Sequence, residues 1–264
     1  MVNIIDLTPE HEQEYFCCLE SPREQMEDAI RQKEHWYREM KEKGLRVKLA
    51  VAGDGEIAGL IQYFPVEYSW ISGKDLYFIS CIWVHSAKNG KVNYQGQGFG
   101  KALLTAAIDD VRQLGSKGIV AWGTTLPAWM KASWYRRQGF EKVDSTGLLG
   151  DQLLWIPFAK DAVKPKWNKV KQPPSSSNGK VVVTCGTNGW CTAMNHSCHI
   201  TEQVAGAFGD AVELEHVDLS EPQTMKEWGR PGVFYVGKKK ITSGPPASAR
   251  KIADMIKKEL KQKK

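Results

Sequence analysis

The sequence predicts a mixed α/β (α+β) protein built as two domains. Three observations predict it: a hairpin pattern near residues 46–64, a buried strand running through a glycine-rich segment into an amphipathic helix near residues 76–114, and a Pro-, Ser- and Lys-rich break near residues 163–179. With 264 residues, 42% apolar and 25% charged, the chain can bury two cores and is unlike a collagen, a disordered tail or a membrane bundle.

Pro22 to Lys43 carries charged residues at helical spacing and stops at Gly44, which suits a helix end. Arg46-Val-Lys-Leu-Ala-Val-Ala52 and Glu56-Ile-Ala-Gly-Leu-Ile-Gln-Tyr-Phe64 read as strands joined by the short turn Gly53-Asp-Gly55, and should pair antiparallel. Leu76 to Val84 is apolar on both alternating sets, the pattern of a central strand buried on both faces. Leu103, Leu104, Ala107, Ile108 and Val111 make one helical stripe, closed by Gly115 and Gly118. A strand at 119–123, a short helix at 129–138 and strands at 140–143 and 153–156 complete a domain over residues 1–160. Residues 161–178 have linker chemistry, and a second domain spans 179–264.

The net charge of +6 falls short of a phosphate-backbone footprint. The five lysines after Ile256 suit the negative end of a terminal helix, and no aromatic residues are interleaved with them, so nucleic acid is not an expected partner. No basic segment leads into an apolar run at the N-terminus, and the longest apolar stretches are strand-sized, so no membrane partner is expected. Six cysteines without export favour reduced thiols and a cytoplasmic location.

Gln95-Gly-Gln-Gly-Phe-Gly100 lies between a buried strand and a helix, so its backbone N–H groups converge on the positive end of the helix dipole, where an anion can bind. Glycines let main chain approach a pyrophosphate closely. A flexible turn is the plainer reading of the same residues. A dinucleotide fold wants parallel strands alternating with helices from the start, and the hairpin at 46–64 argues against it; no Gly-Lys-Ser or Gly-Lys-Thr is present.

Gln95-x-x-Gly98-x-Gly100, entered from a strand ending Ile82-Trp-Val-His85 and followed by that helix, resembles the acyl-CoA pyrophosphate loop of the GNAT superfamily of N-acyltransferases. Some forty residues on, Ala132-Ser-Trp-Tyr-Arg-Arg-Gln-Gly-Phe140 resembles the family's second signature, an Ala-x-x-Tyr helix ending in Gly-Phe. The resemblance covers roughly residues 1–160 and implies direct attack of an acceptor amine on the thioester of acetyl-CoA. It implies that backbone groups of Ile82 and Val84 hold the pantetheine arm and polarise the thioester carbonyl. Gln95, Gly96, Gln97, Gly98, Phe99, Gly100 and Lys101 would cradle the pyrophosphate. Tyr135 matches the position that protonates the departing thiolate, with packing beside Phe140 as its plainer role. For the amine's proton, Glu67, Asp75 and His85 are candidates by location, beside a water relay. Cys81 reads as a small buried residue, though a thiol at such a site is a nucleophile in principle. Two features depart from the family: the segment Ser86–Tyr94 is several residues long, and Trp129 replaces an asparagine common three residues before Ala132. With Trp70, Trp122 and Trp134, Trp129 suggests either an aromatic acceptor pocket or ordinary core.

In the second domain, a strand at 180–184, a helix at 192–208, a strand at 212–218, a short helix at 221–228, a hairpin at 233–241 and a helix from Pro246 follow the order of a thioredoxin-like domain. Trp190-Cys191 at the strand-to-helix turn resembles the thioredoxin Trp-Cys start, and Pro231 sits where that fold keeps a cis proline. A similar appendage, the YoaP type, occurs on bacterial GNAT proteins. Met194 stands where a redox pair needs its second cysteine, so dithiol chemistry is not expected. Cys191 remains a monothiol candidate, and Cys185 could pair with it if the loop folds back. Cys185, Cys191, His196, Cys198 and His199 crowd together, but their spacing is not that of a common zinc module; no metal site is expected, with structural roles foremost and soft-metal capture the minor alternative.

Two function classes follow. One is an acetyl-CoA-dependent N-acetyltransferase whose second domain helps bind or present an amine acceptor. The other is a thiol- or metal-binding protein carrying a degenerate acyltransferase scaffold.

Overall fold

The computed structural model describes residues 2–19, 24–86, 92–125, 130–148, 150–173, 176–177, 179–241 and 247–262. Trp129, most of the long segment between Ser86 and Tyr94, and the expected helix starts at Pro22 and Pro246 lie outside the described residues. Contacts group Met1–Ser21 and Glu39–Trp167 as one unit, and Pro22–Arg38 and Asn168–Lys264 as another.

The first unit contains a seven-stranded sheet in the order β1-β2-β3-β5-β6-β8-β7. Its strands are β1 (Asn3–Asp6), β2 (Arg46–Val51), β3 (Ile57–Pro65), β5 (Tyr77–Val84), β6 (Gly118–Gly123), β7 (Glu141–Ser145) and β8 (Gln152–Pro157). The expected hairpin is there, with Leu49 opposite Leu60. Neighbours pair antiparallel except β5 and β6, so the sheet is mixed. Its helices are α1 (Glu12–Phe16), α3 (Phe99–Gln113) and α4 (Ala132–Arg137), while α2 (Glu27–Glu42) is divided between the two units. The apolar stripe of α3 buries Leu103, Leu104, Ala107 and Val111 in one cluster with Ile61, Ile79, Ile119 and Tyr135. An ion pair pins the other flank of α3. Arg46 on β2 donates twice to Asp110 (2.9 and 2.7 Å), and the Tyr63 hydroxyl donates to the same carboxylate at 2.6 Å.

Three sequence expectations are corrected here. The adjacent Cys17 and Cys18 read from the sequence as residues of a first helix; instead Cys17 caps α1, and Cys18 and Leu19 adopt left-handed backbone beyond it. The break is structured at both ends: β9 (Lys166–Trp167) pairs with β4 (Ile71–Ser72), and β10 (Ser176–Ser177) pairs with the following strand. The Trp167 amide donates to Asp144 at 2.8 Å, which ties the start of the expected linker to the first unit. Third, residues up to Arg38 of α2 group with the second unit. Asn195 donates to the Ala29 carbonyl at 3.1 Å, and Gly189 lies so near Trp36 that a Cβ there would come within 2.9 Å of the tryptophan Cβ. The charge pattern of 22–43 marks a helix and carries no information on which core it joins.

The second unit centres on β11 (Lys180–Thr187), flanked by β12 (Val212–His216) in parallel and β13 (Gly232–Val236) antiparallel; β14 (Lys239–Lys240) closes the hairpin. The helices are α5 (Thr192–Gly206), α6 (Pro222–Trp228) and α7 (Ala249–Gln262). Val181, Val183, Cys185 and Val236 of the sheet pack with Cys198 and Ala205 of α5 and Ile252 and Ile256 of α7. The peptide bond before Pro231 is trans, unlike the cis form expected from the resemblance.

Candidate active site at the opening between two parallel strands

The sheet opens where its two parallel strands meet. β5 and β6 pair only over Tyr77–Ile79 with Ile119–Ala121, although β5 runs on to Val84 and β6 to Gly123. The Trp122 indole occupies the start of this opening, donating to the Ser80 carbonyl at 3.0 Å. Beyond it, the alternation of antiparallel bonding fixes where β5 points its backbone. His85 donates to Ala58 at 2.9 Å across β3, so Val84 opposite Gly59 and Ile82 opposite Ile61 are the pairs that do not exchange bonds with β3. Their N–H and C=O groups therefore face the opening, as a pantetheine arm requires. Gln95 already uses one of them, donating to the Val84 carbonyl at 3.2 Å.

The glycine loop enters α3 directly. Gly98 caps the helix at φ 90° and Gly96 stands at φ 80°, conformations that side-chain-bearing residues rarely adopt, and a Cβ at either would meet only open space. The first bond of the helix is Ala102 N–H to the Gly98 carbonyl. Among the described residues, no protein acceptor takes the amide hydrogens from Gly96 to Lys101, which emerge together at the helix N-terminus. The glutamines serve as braces: Gln97 donates to the Asn93 carbonyl at 2.7 Å, as Gln95 does to Val84. Phe99 contributes its amide alone, since its ring is in the core against Tyr94. Lys101 is exposed, beside a groove over Gly98, Ala102 and Thr105.

Tyr135 on α4 is fully buried, its ring 5.3 Å from Phe140 and 5.0 Å from Trp134. Packing does not account for its hydroxyl, which has no hydrogen-bond partner among the described residues. Burial, with the nearby Cys81 thiol, pushes this phenol well above its ordinary pKa, so it stays protonated. His85 is buried at the end of β5. Glu67 lies at the opposite end of that strand, in the connection preceding Tyr77, and its carboxylate accepts from the Asp75 amide at 3.2 Å. Asp75 is in the same turn and pairs with Lys117 at 3.6 Å. Location in the sequence suggested both acids; the direction of β5 carries them away from the glycine loop. Trp70 is core, edge-on to Phe78.

The thiol candidates divide differently from expectation. Cys191 caps α5, while Cys185 on β11 lies against Cys198, and none of the six cysteines is in a disulfide. Cys185 and Cys191 are both buried free thiols.

Unengaged amides at a helix start, an open strand edge beside them and an orphaned buried hydroxyl fit the pyrophosphate, pantetheine and thiol of coenzyme A, and define an acyl-CoA-dependent transferase. Residues 7–140 match the acetyltransferase (GNAT) family, to which the chain belongs; it is an N-acetyltransferase with acetyl-CoA as cosubstrate. It is 27% identical over 245 residues to the uncharacterized N-acetyltransferase YoaP of Bacillus subtilis (strain 168), covering 89% of this chain and 91% of that protein. Among solved structures it is similar to the GNAT family N-acetyltransferase YhbS of Escherichia coli in complex with CoA, with 16% identity, TM-score 0.45 and coverage of 62% and 88% of the two chains. A GNAT family acetyltransferase of Brucella melitensis in complex with acetyl-CoA gives 20%, 0.42, 62% and 92%. Among the described residues, no helix is long and apolar enough to cross a membrane.

Proposed function

We propose that residues 1–160 transfer the acetyl group of acetyl-CoA to an amine acceptor by direct attack on the thioester, in the cytoplasm. The observation that carries this reading is the run of unengaged amides from Gly96 to Lys101 beside the β5–β6 opening. The amides would hold the pyrophosphate, and the main chain of Ile82 and Val84 would hold the pantetheine and polarise the carbonyl. The acceptor nitrogen attacks the carbonyl carbon, the C–S bond breaks, and the departing thiolate takes the proton of the Tyr135 hydroxyl. A phenol held protonated by burial suits a donor and disqualifies it as the base. The amine loses its proton through water, because Glu67 is engaged at the far end of β5; His85, buried one residue past Val84, is the side-chain candidate.

The order strand, helix, strand, helix, hairpin, helix in residues 179–264 supports a thioredoxin-like reading of the second domain, in which it binds or presents the acceptor. Absence of a second thiol in the Cys191–Met194 turn speaks against dithiol redox work. The intact glycine loop disfavours the alternative of a degenerate acyltransferase scaffold.

Differential scanning of the full chain tests the first claim. Acetyl-CoA at a hundredfold excess over its Kd should raise the Tm by on the order of 5 °C. No shift at saturating cosubstrate would refute it.

A further inference from the structure

The second unit gathers four metal-ligating side chains that the acyl-transfer chemistry does not use. Cys185 comes from β11, Cys198 and Glu202 from successive turns of α5, and His216 from the last position of β12. One ligand atom from each lies within 4.8 Å of all the others. Glu202 Oε1 is 3.9 Å from Cys185 Sγ, 3.8 Å from Cys198 Sγ and 2.7 Å from His216 Nδ1. The backbone builds this meeting: Cys185 and His216 are register partners across the parallel β11–β12 pair, and Cys198 and Glu202 share a helix face at a spacing of four.

We propose that Cys185, Cys198, Glu202 and His216 form a tetrahedral binding site for a borderline-soft divalent cation, zinc being the ion it fits. Metal–sulfur bonds of about 2.3 Å and metal–nitrogen or –oxygen bonds of about 2.0–2.1 Å give a tetrahedron with edges of roughly 3.3–3.8 Å. The two sulfur–oxygen separations are already near that size. The Glu202–His216 hydrogen bond must open by well under 1 Å, and a pair at the 4.8 Å limit must close by about 1 Å. Two thiols and an imidazole select zinc over the hard cations calcium and magnesium. The floor is dry, with Cys185 fully buried and Cys198 nearly so, while the His216 side chain is 57% and that of Glu202 32% exposed, which leaves an entry path. The hydrogen bond with Cys198 and then burial push the Cys185 thiol up, so in the metal-free protein it is protonated. Loading converts two S–H groups to thiolates, releases two protons and forms two metal–sulfur bonds, with no change of oxidation state.

The sequence spacing of the cysteines and histidines hid this site. Two of its members are carried by ordinary-looking positions in a helix and a strand, and Cys191, His196 and His199, which crowd the same stretch of sequence, are outside the cluster.

The test uses the full reduced chain, stripped with a chelator and titrated with zinc chloride, and separately with cobalt chloride. One equivalent of zinc should be retained after gel filtration, cobalt should give a thiolate charge-transfer band, and zinc should protect Cys185 and Cys198 from alkylation. Cys185→Ser with Cys198→Ser should abolish zinc retention and the cobalt band. Because those positions are in the core, Glu202→Gln and His216→Ala, at the exposed rim, supply a second arm: each should weaken zinc by at least the ~10-fold that even an outer-sphere loss costs, without loss of fold. Failure to retain zinc, zinc affinity unchanged from the original chain in both rim variants, or a Cys185–Cys198 disulfide with no zinc uptake by the reduced protein would overturn the proposal. None of these readouts depends on acetyl-CoA, so they are independent of the acyl-transfer reading.

Discussion

At the residue scale, two substitutions separate binding from chemistry. Gly98 stands at φ 90° with open space around its missing Cβ. Gly98→Glu adds a negative charge where the pyrophosphate would sit, and should abolish the acetyl-CoA thermal shift. Gly98→Ala introduces only backbone strain of about 1–2 kcal/mol and should keep a reduced shift. A full shift in the glutamate variant would place the cosubstrate elsewhere. Tyr135→Phe keeps the ring in its pocket and removes the unpartnered hydroxyl, so folding should be preserved or slightly improved. Steady-state kinetics should show kcat lowered by about 100-fold with little change in KM for acetyl-CoA. Unchanged kcat would return Tyr135 to a packing role.

At the element scale, the anchoring of α3 decides whether the glycine loop is presented to the opening. Burial alone would raise the pKa of Asp110, but hydrogen bonds from Arg46 and Tyr63 and the charge of Lys48 outweigh it and hold the carboxylate below its ordinary value. A group depressed in the folded state adds stability at pH above its unfolded pKa of about 3.9, and that contribution is lost as pH falls through the folded value. Asp110→Asn should therefore cost about 1–3 kcal/mol in urea unfolding at pH 7 and much less near pH 3. An equal cost at both pH values would show that the ion pair is not its source. The helix itself was legible: its stripe of Leu103, Leu104, Ala107 and Val111 has the period of a buried face. The partner of Asp110 was not, because Arg46 lies 64 positions away and nothing local pairs them.

On the scale of the whole molecule, helix α2 links the two units through the chain, and its first part packs with residues that follow Asn168. A chain ending at Trp167 would leave Ala29 and Trp36 without Asn195 and Gly189. Such a truncation should melt several degrees below the full chain, as roughly 1–3 kcal/mol is lost with buried contacts of this kind. An unchanged Tm would make residues 1–167 self-sufficient.

The sequence by itself determined the periodic elements, the glycine loop that meets a helix start and the family signature around Tyr135, since all three are encoded by neighbours within a few positions. Tertiary structure decided the rest. The direction of β5 moved Glu67 and Asp75 away from the loop, the packing of α2 assigned its first part to the second unit, and the register of β11 with β12 set His216 beside Cys185 rather than Cys191. These outcomes depend on contacts between residues distant in the chain, and a pattern with a period of two or four residues holds no record of which distant face it will meet.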